Sequence, residues 1–64
     1  MPTMKVREVL ERLQMEGWRI VRQEGSHRQL RKEGNPWVIT VPGKLNDNLG
    51  HGIVNDIRRK AGWK

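Results

Sequence analysis

The stretch "WRIVRQEGSHRQLRKEGNPWVITV", residues 18–41, decides the fold. In "WRIVRQE", Trp18 and Ile20 alternate with Arg19 and Val21, and the enrichment in aromatic and β-branched residues reads as a strand. Whether Ile20 or Val21 faces the core stays open at this level. Glu24-Gly25 can form a tight two-residue reversal, with glycine supplying the positive φ that such turns need. "SHRQLRKE" follows as a second strand. "GNP" at 34–36 is turn chemistry, and "WVITV" is a third strand ended by Pro42-Gly43. Consecutive strands joined by short turns imply an antiparallel meander, whose edges need cover from helices or a partner.

Outward from this core the period changes. In "TMKVREVLERLQMEGW", Val6, Val9, Leu10 and Leu13 fall at helical spacing, with Arg7, Glu8, Glu11 and Arg12 opposite. Thr3 is placed to cap this helix and Gly17 to stop it. Beyond a polar loop at 44–48, Leu49, Ile53, Val54, Ile57 and Ala61 mark the apolar stripe of a second helix. Arg58, Arg59 and Lys60 suit its C-terminal dipole, and Gly62 supplies the stop. The order is helix, three strands, helix: an α+β fold of the double-stranded-RNA-binding-domain type, α-β-β-β-α, with two helices on one face of a three-stranded antiparallel sheet. Fold alone does not establish function.

With 64 residues the chain makes one domain, 1–64, too small to contain a second catalytic unit. Thirteen Lys and Arg against seven Asp and Glu give a net charge of +6, which suggests a polyanionic partner; nucleic acid comes first, and an acidic protein fits the charge equally well. No apolar run is long enough to span a bilayer, so a membrane is not expected. The absence of cysteine excludes a disulfide scaffold and argues against a structural zinc site; no metal or cofactor is expected. "MPTMKVREVLERLQ" enters the helix directly, without a signal-peptide apolar stretch, and a cytoplasmic setting is expected.

The chemistry centres on His27. If Leu30 points inward, strand alternation sends His27, Gln29 and Arg31 to the opposite, accessible face. Between Arg19 and Lys32 stand five cations, Arg19, Arg22, Arg28, Arg31 and Lys32, against the single acid Glu24. Such a patch holds a phosphodiester close to the imidazole. Histidine titrates near neutral pH and can take a proton from a ribose hydroxyl or give one to a leaving oxygen, while neighbouring arginines stabilise the developing charge. RNA brings its own nucleophile in the 2′-hydroxyl, so this arrangement permits a metal-independent ribonuclease. A plainer reading of the same residues is a polar hairpin in which His27 contacts phosphate without catalysis or is merely exposed.

Ser26 is placed to bond a phosphate oxygen or to orient the imidazole, or simply favours the turn. Lys44 is placed as a phosphate contact before the second helix. Trp18 and Trp37 are expected in the core. Trp63 either stays exposed or packs on the first helix, and His51 reads as a helix-start residue remote from His27.

The pieces "VLERLQMEGWRIVRQEGSHRQL", "ITVPGKLNDNL" and "IVNDIRRKAGW", in this order and over nearly the whole chain, resemble the HicA family of type II toxin-antitoxin systems. Gly25-Ser26-His27 falls on that family's Gly-Ser-His motif, and Val41-Pro42-Gly43 on its strand-ending turn. The resemblance implies an mRNA interferase, an endoribonuclease toxin with His27 catalytic. RNA contacts are then expected from Ser26, Arg22, Arg28, Arg31, Lys32 and Lys44. It further implies a HicB-like antitoxin that covers the His27 face, with the free toxin a monomer. The chain departs from the family where the second helix opens as "HGI" without a capping hydroxyl, and at Leu30, where a bulky aromatic is common. The alternative from another class is a non-catalytic RNA-binding module of the same fold.

Overall fold

The computed structural model describes residues 3–63. Its order is α1 (Val6–Met15), β1 (Arg19–Glu24), β2 (His27–Arg31), β3 (Ile39–Val41) and α2 (His51–Ala61), as the sequence periods lead one to expect. The strands form one antiparallel sheet in the order β1-β2-β3. Val6, Val9, Leu10 and Leu13 of α1, Val54 and Ile57 of α2, and Leu30, Ile39 and Val41 of the sheet share one buried cluster with Trp18, Leu49 and Trp63. Among the described residues, the opposite face of the sheet contributes nothing to that core.

The start of α1 is held differently from the expectation placed on Thr3. Lys5 is the cap residue, and its backbone N–H donates to Glu8 Oε1 at 2.9 Å. Two further first-turn donors are met by a distant loop: Val6 N–H donates to Asp47 O at 2.9 Å and Arg7 N–H to Leu45 O at 3.1 Å. Leu49 N–H in turn donates to Met4 O at 2.9 Å. Main-chain carbonyls therefore satisfy the donors that a Thr hydroxyl would have served.

Both helices stop in the same way, on a Gly-Trp pair. Gly17 has φ 100° and Gly62 φ 77°, values a residue with a Cβ adopts only with strain. The N–H of Trp18 donates to Leu13 O at 3.0 Å, and that of Trp63 to Arg58 O at 2.8 Å, the six-residue closure of a Schellman stop. Each indole is buried against the core. Trp63 is settled as a packing residue: its Nε1 donates to Glu16 Oε1, and the Arg12 guanidinium lies 4.1 Å from its ring centre. The Trp18 Nε1 finds no acceptor among the described residues.

Two strand expectations need correction. Trp37 is not in the core but 54% exposed, because Asn35 Oδ1 accepts its N–H at 2.8 Å and the resulting turn delays β3 until Ile39. Lys60 lies 5.8 Å above its ring and donates to Val38 O, which ties α2 to the entry of β3. Hydrogen bonds from Lys60 and then Arg59 hold the Asp56 carboxyl below its ordinary range. The reversal after β1 is Gly25-Ser26 rather than Glu24-Gly25, since Glu24 pairs with His27. Gly25 has φ 57° while Ser26 does not enter positive φ, which is the type II′ pattern. Finally, the choice between Ile20 and Val21 falls to Ile20: it pairs with the inward Leu30 and so lies on the helix side, at the margin of the core and only partly covered, while the ladder slips between Ile20 and Arg22 and Val21 bulges outward.

Candidate functional site on the open sheet face

Register fixes which side chains share the open face. Leu30 is fully buried opposite Ile39, so residues 28 and 30 of β2 point to the helices and 27, 29 and 31 point away. Across the ladder Glu24 pairs with His27, Arg22 with Gln29, and Arg19 with Arg31, while Thr40 faces Gln29 from the other side. Neither described helix covers this surface. His27 is exposed, and no hydrogen bond engages its side chain among the described residues.

The nearest acid in the ladder is Glu24, whose Cβ stands about 4.5–5.5 Å from that of a directly opposed residue. Its carboxylate meets Arg22 Nη2 at 3.3 Å, and both groups are well exposed, so this is a weak pair that water or a ligand can open. The placement of Glu24 beside His27 is hidden in the sequence by the position of the reversal; a Gly-Ser loop, with glycine first, is the signal that gives it.

Below the open face, one guanidinium organises the turn. Arg28 Nη1 donates to Ser26 O at 3.0 Å and to Gly43 O at 2.9 Å, and the side chain is half-buried. The sequence puts Arg28 among the expected RNA contacts, but as a neighbour of His27 in the strand it points to the helix side. Its two bonds draw the Gly25-Ser26 reversal against the Pro42-Gly43 turn. Continuing the β2-β3 register brings His27 level with Pro42, with Lys44 two residues further on.

That second turn is itself rigid. Gly43 has φ 94°, and a Cβ there would meet Val6 Cγ2 and Asp47 Oδ2 at 3.4 Å. Asp47 Oδ2 accepts the N–H of Lys44 at 3.0 Å, and Asp47 N–H donates to Lys44 O at 2.9 Å. The exposed Lys44 side chain is thus carried on a fixed backbone at the His27 end of the sheet.

Ser26, His27, Arg22 and Lys44 therefore gather at one end, whereas Arg31 and the half-buried Lys32 stand at the other. His51 opens α2 in the helix layer, away from the open face. Gly50 precedes it without a side-chain cap, consistent with the missing hydroxyl noted in the sequence. No group of three or more His, Cys, Asp or Glu side chains among the described residues could hold a metal ion. No described helix is long and apolar enough to cross a membrane. An exposed imidazole beside a carboxylate and among cations is an arrangement suited to proton transfer at a phosphodiester.

No curated protein matches the chain at a significant level. The family model described as the HicA toxin of bacterial toxin-antitoxin matches residues 6–63, a span that runs from the first turn of α1 to the Trp that closes α2. With that span, this order of elements and Gly25-Ser26-His27 at the hairpin, the chain belongs to the HicA toxin family of toxin-antitoxin systems.

Proposed function

We propose that this toxin is a metal-independent endoribonuclease that cleaves mRNA at His27, and so halts translation and growth. The observation that carries the reading is the uncovered imidazole at the mouth of the β1-β2 hairpin, bordered by Arg22 and by the turn that bears Lys44. A phosphodiester drawn to these cations lies against the ring.

In the cleavage step the ribose 2′-oxygen attacks phosphorus, and the bond to the 5′-oxygen breaks. The proton of the 2′-hydroxyl passes to a base and the departing 5′-oxygen receives one from an acid, leaving a 2′,3′-cyclic phosphate and a free 5′-hydroxyl. Histidine serves either role, and here the protonated His27 ring is the donor to the leaving oxygen while the facing Glu24 carboxylate accepts from the hydroxyl. Arg22 and Lys44 stabilise the charge that grows on the non-bridging oxygens, and Ser26 contacts the phosphate or fixes the ring. Because the nucleophile belongs to the RNA, the step as written needs no metal.

Arg31 and Lys32 extend the RNA contact along the sheet, and Arg28 shapes the site from beneath. A HicB-like antitoxin then neutralises the toxin by covering the His27 face with acidic surface. Free toxin acts as a monomer, in the cytoplasm where its mRNA substrate is found.

The test is incubation of the purified chain and of His27→Ala with mRNA in the presence of chelator. The parent is expected to cleave and the variant to lose about 10²- to 10⁴-fold in rate, with circular dichroism unchanged. Equal cleavage by both proteins rejects His27 as the catalytic group. Absence of cleavage by the parent, with RNA still bound, returns the chain to a binding module.

A further inference from the structure

The end of the open face away from His27 carries charge that the cleavage step does not use. Arg19 and Arg31 are directly opposed across the β1-β2 ladder, the placement in which like charges weaken a sheet. Both are exposed, and the ion pairs among the described residues engage neither. Lys32 runs beside them with its stem over the end of α1, where a Cβ on Gly17 would stand 3.7 Å from Lys32 Cε. Together with Glu33 and Asn35 these cations line an open hollow of about 490 Å³. Arg19, Arg31 and Lys32 against Glu33 leave the hollow positive. An opposed pair of guanidinium groups with no acid of its own is stabilised by an anion from outside the chain.

His27 and Arg31 point to the same side of β2 four residues apart, which at a strand rise of about 3.3 Å per residue is roughly 13 Å. With both side chains rising from the sheet at that spacing, the two are placed to hold different phosphodiesters of one strand. We propose that the Arg19-Arg31-Lys32 hollow is a second phosphate subsite, which takes another phosphodiester of the same RNA strand and fixes the direction and length of strand presented to His27. This rests on the reading of RNA as the ligand of the open face, and it adds to that reading a requirement for an extended, single-stranded substrate.

The experiment uses fluorescent 2′-O-methyl oligoribonucleotides, graded in length up to about ten nucleotides, a size typical of single-strand sites. Methylation removes the nucleophile, so affinity is read whether or not His27 cleaves. For the parent, affinity is expected to rise steeply once the oligomer is long enough to bridge both ends of the sheet. In Arg19→Gln/Arg31→Gln that rise is lost, affinity for the longest oligomer falls about tenfold or more, and the slope of log K against log salt shrinks by about 0.7 for each contact removed. The control Arg7→Gln, on exposed α1 surface, keeps the parent slope.

Because the double variant removes a repulsion, its thermal midpoint is expected at or above that of the parent; Arg19→Gln alone, read in the same way, replaces it if the midpoint falls. An unchanged slope and length dependence overturn the proposal. So does a variant that keeps its RNA affinity and instead loses affinity for the antitoxin, since the hollow then serves an acidic protein. A parent that binds the oligomers but cleaves no unblocked RNA rejects catalysis at His27 and leaves the subsite standing. A parent that binds neither short nor long oligomers overturns both.

Discussion

Arg28 sits next to the histidine in the chain and on the other side of the sheet. Its Nη1 bonds to Ser26 O and Gly43 O join two turns that lie far apart in sequence, at the end of the sheet where His27 stands. Hydrogen bonds from a charged donor contribute about 1.5–3 kcal/mol, so Arg28→Ala is expected to lower stability by that order in denaturant melts. For the cleavage proposed at His27, kcat is expected to fall more than KM rises, because the two turns that flank His27 lose the link between them while Arg22 and Arg31 stay on the open face. Arg28→Lys, whose single ammonium matches the two carbonyls less well, is expected to recover part of both; equal kcat in parent and Arg28→Ala removes the positioning role. Strand parity is enough to place this residue: if Leu30 is inside, so is 28. A tally of cations along 19–32 ignores parity, and so groups Arg28 with Arg22 and Arg31. The bonds to Ser26 and Gly43 are not legible in sequence, because they depend on how closely two turns approach in space.

Glycine positions separate the elements that tolerate change from those that do not. Gly17 ends α1 at φ 100°, so Gly17→Ala is expected to cost about 1–2 kcal/mol through left-handed strain alone. Gly52, inside α2, is outside the positive-φ set, and a methyl group added there would meet nothing within 4 Å, so Gly52→Ala is expected to stabilise by about 0.4–1 kcal/mol. Chemical denaturation of the two variants checks both signs; a stable Gly17→Ala would mean that the Schellman stop is not what sets the helix end. The helix stripes and the Gly-Trp stops are plain in the sequence because they rest on period and on backbone handedness. Trp37 is not, since an aromatic before Val38 and Ile39 reads as strand. What keeps it out is the Asn35 side chain, which competes for the Trp37 N–H before the ladder can. The outward bulge at Val21 is equally hidden, because two adjacent apolar residues satisfy either register.

At the scale of the molecule, a net charge of +6 is carried on a fold with one open sheet face and a bulged edge strand at β1. Such a surface steers an acidic partner at long range. Association with the antitoxin is therefore expected to slow steeply as ionic strength rises, with dissociation much less affected; stopped-flow rates at graded salt measure it. An on-rate indifferent to salt would remove charge complementarity from the account of neutralisation. The loop at 44–49 has a further consequence for synthesis. Leu45 O and Asp47 O close the first turn of α1, and Met4 O receives Leu49 N–H, so this helix is tied down by residues translated only after the whole sheet. A nascent chain can zip its hairpins locally while its leading helix stays frayed, waiting for position 49 to clear the ribosome. A product truncated before that loop would be born without its clasp, even though it already carries the imidazole.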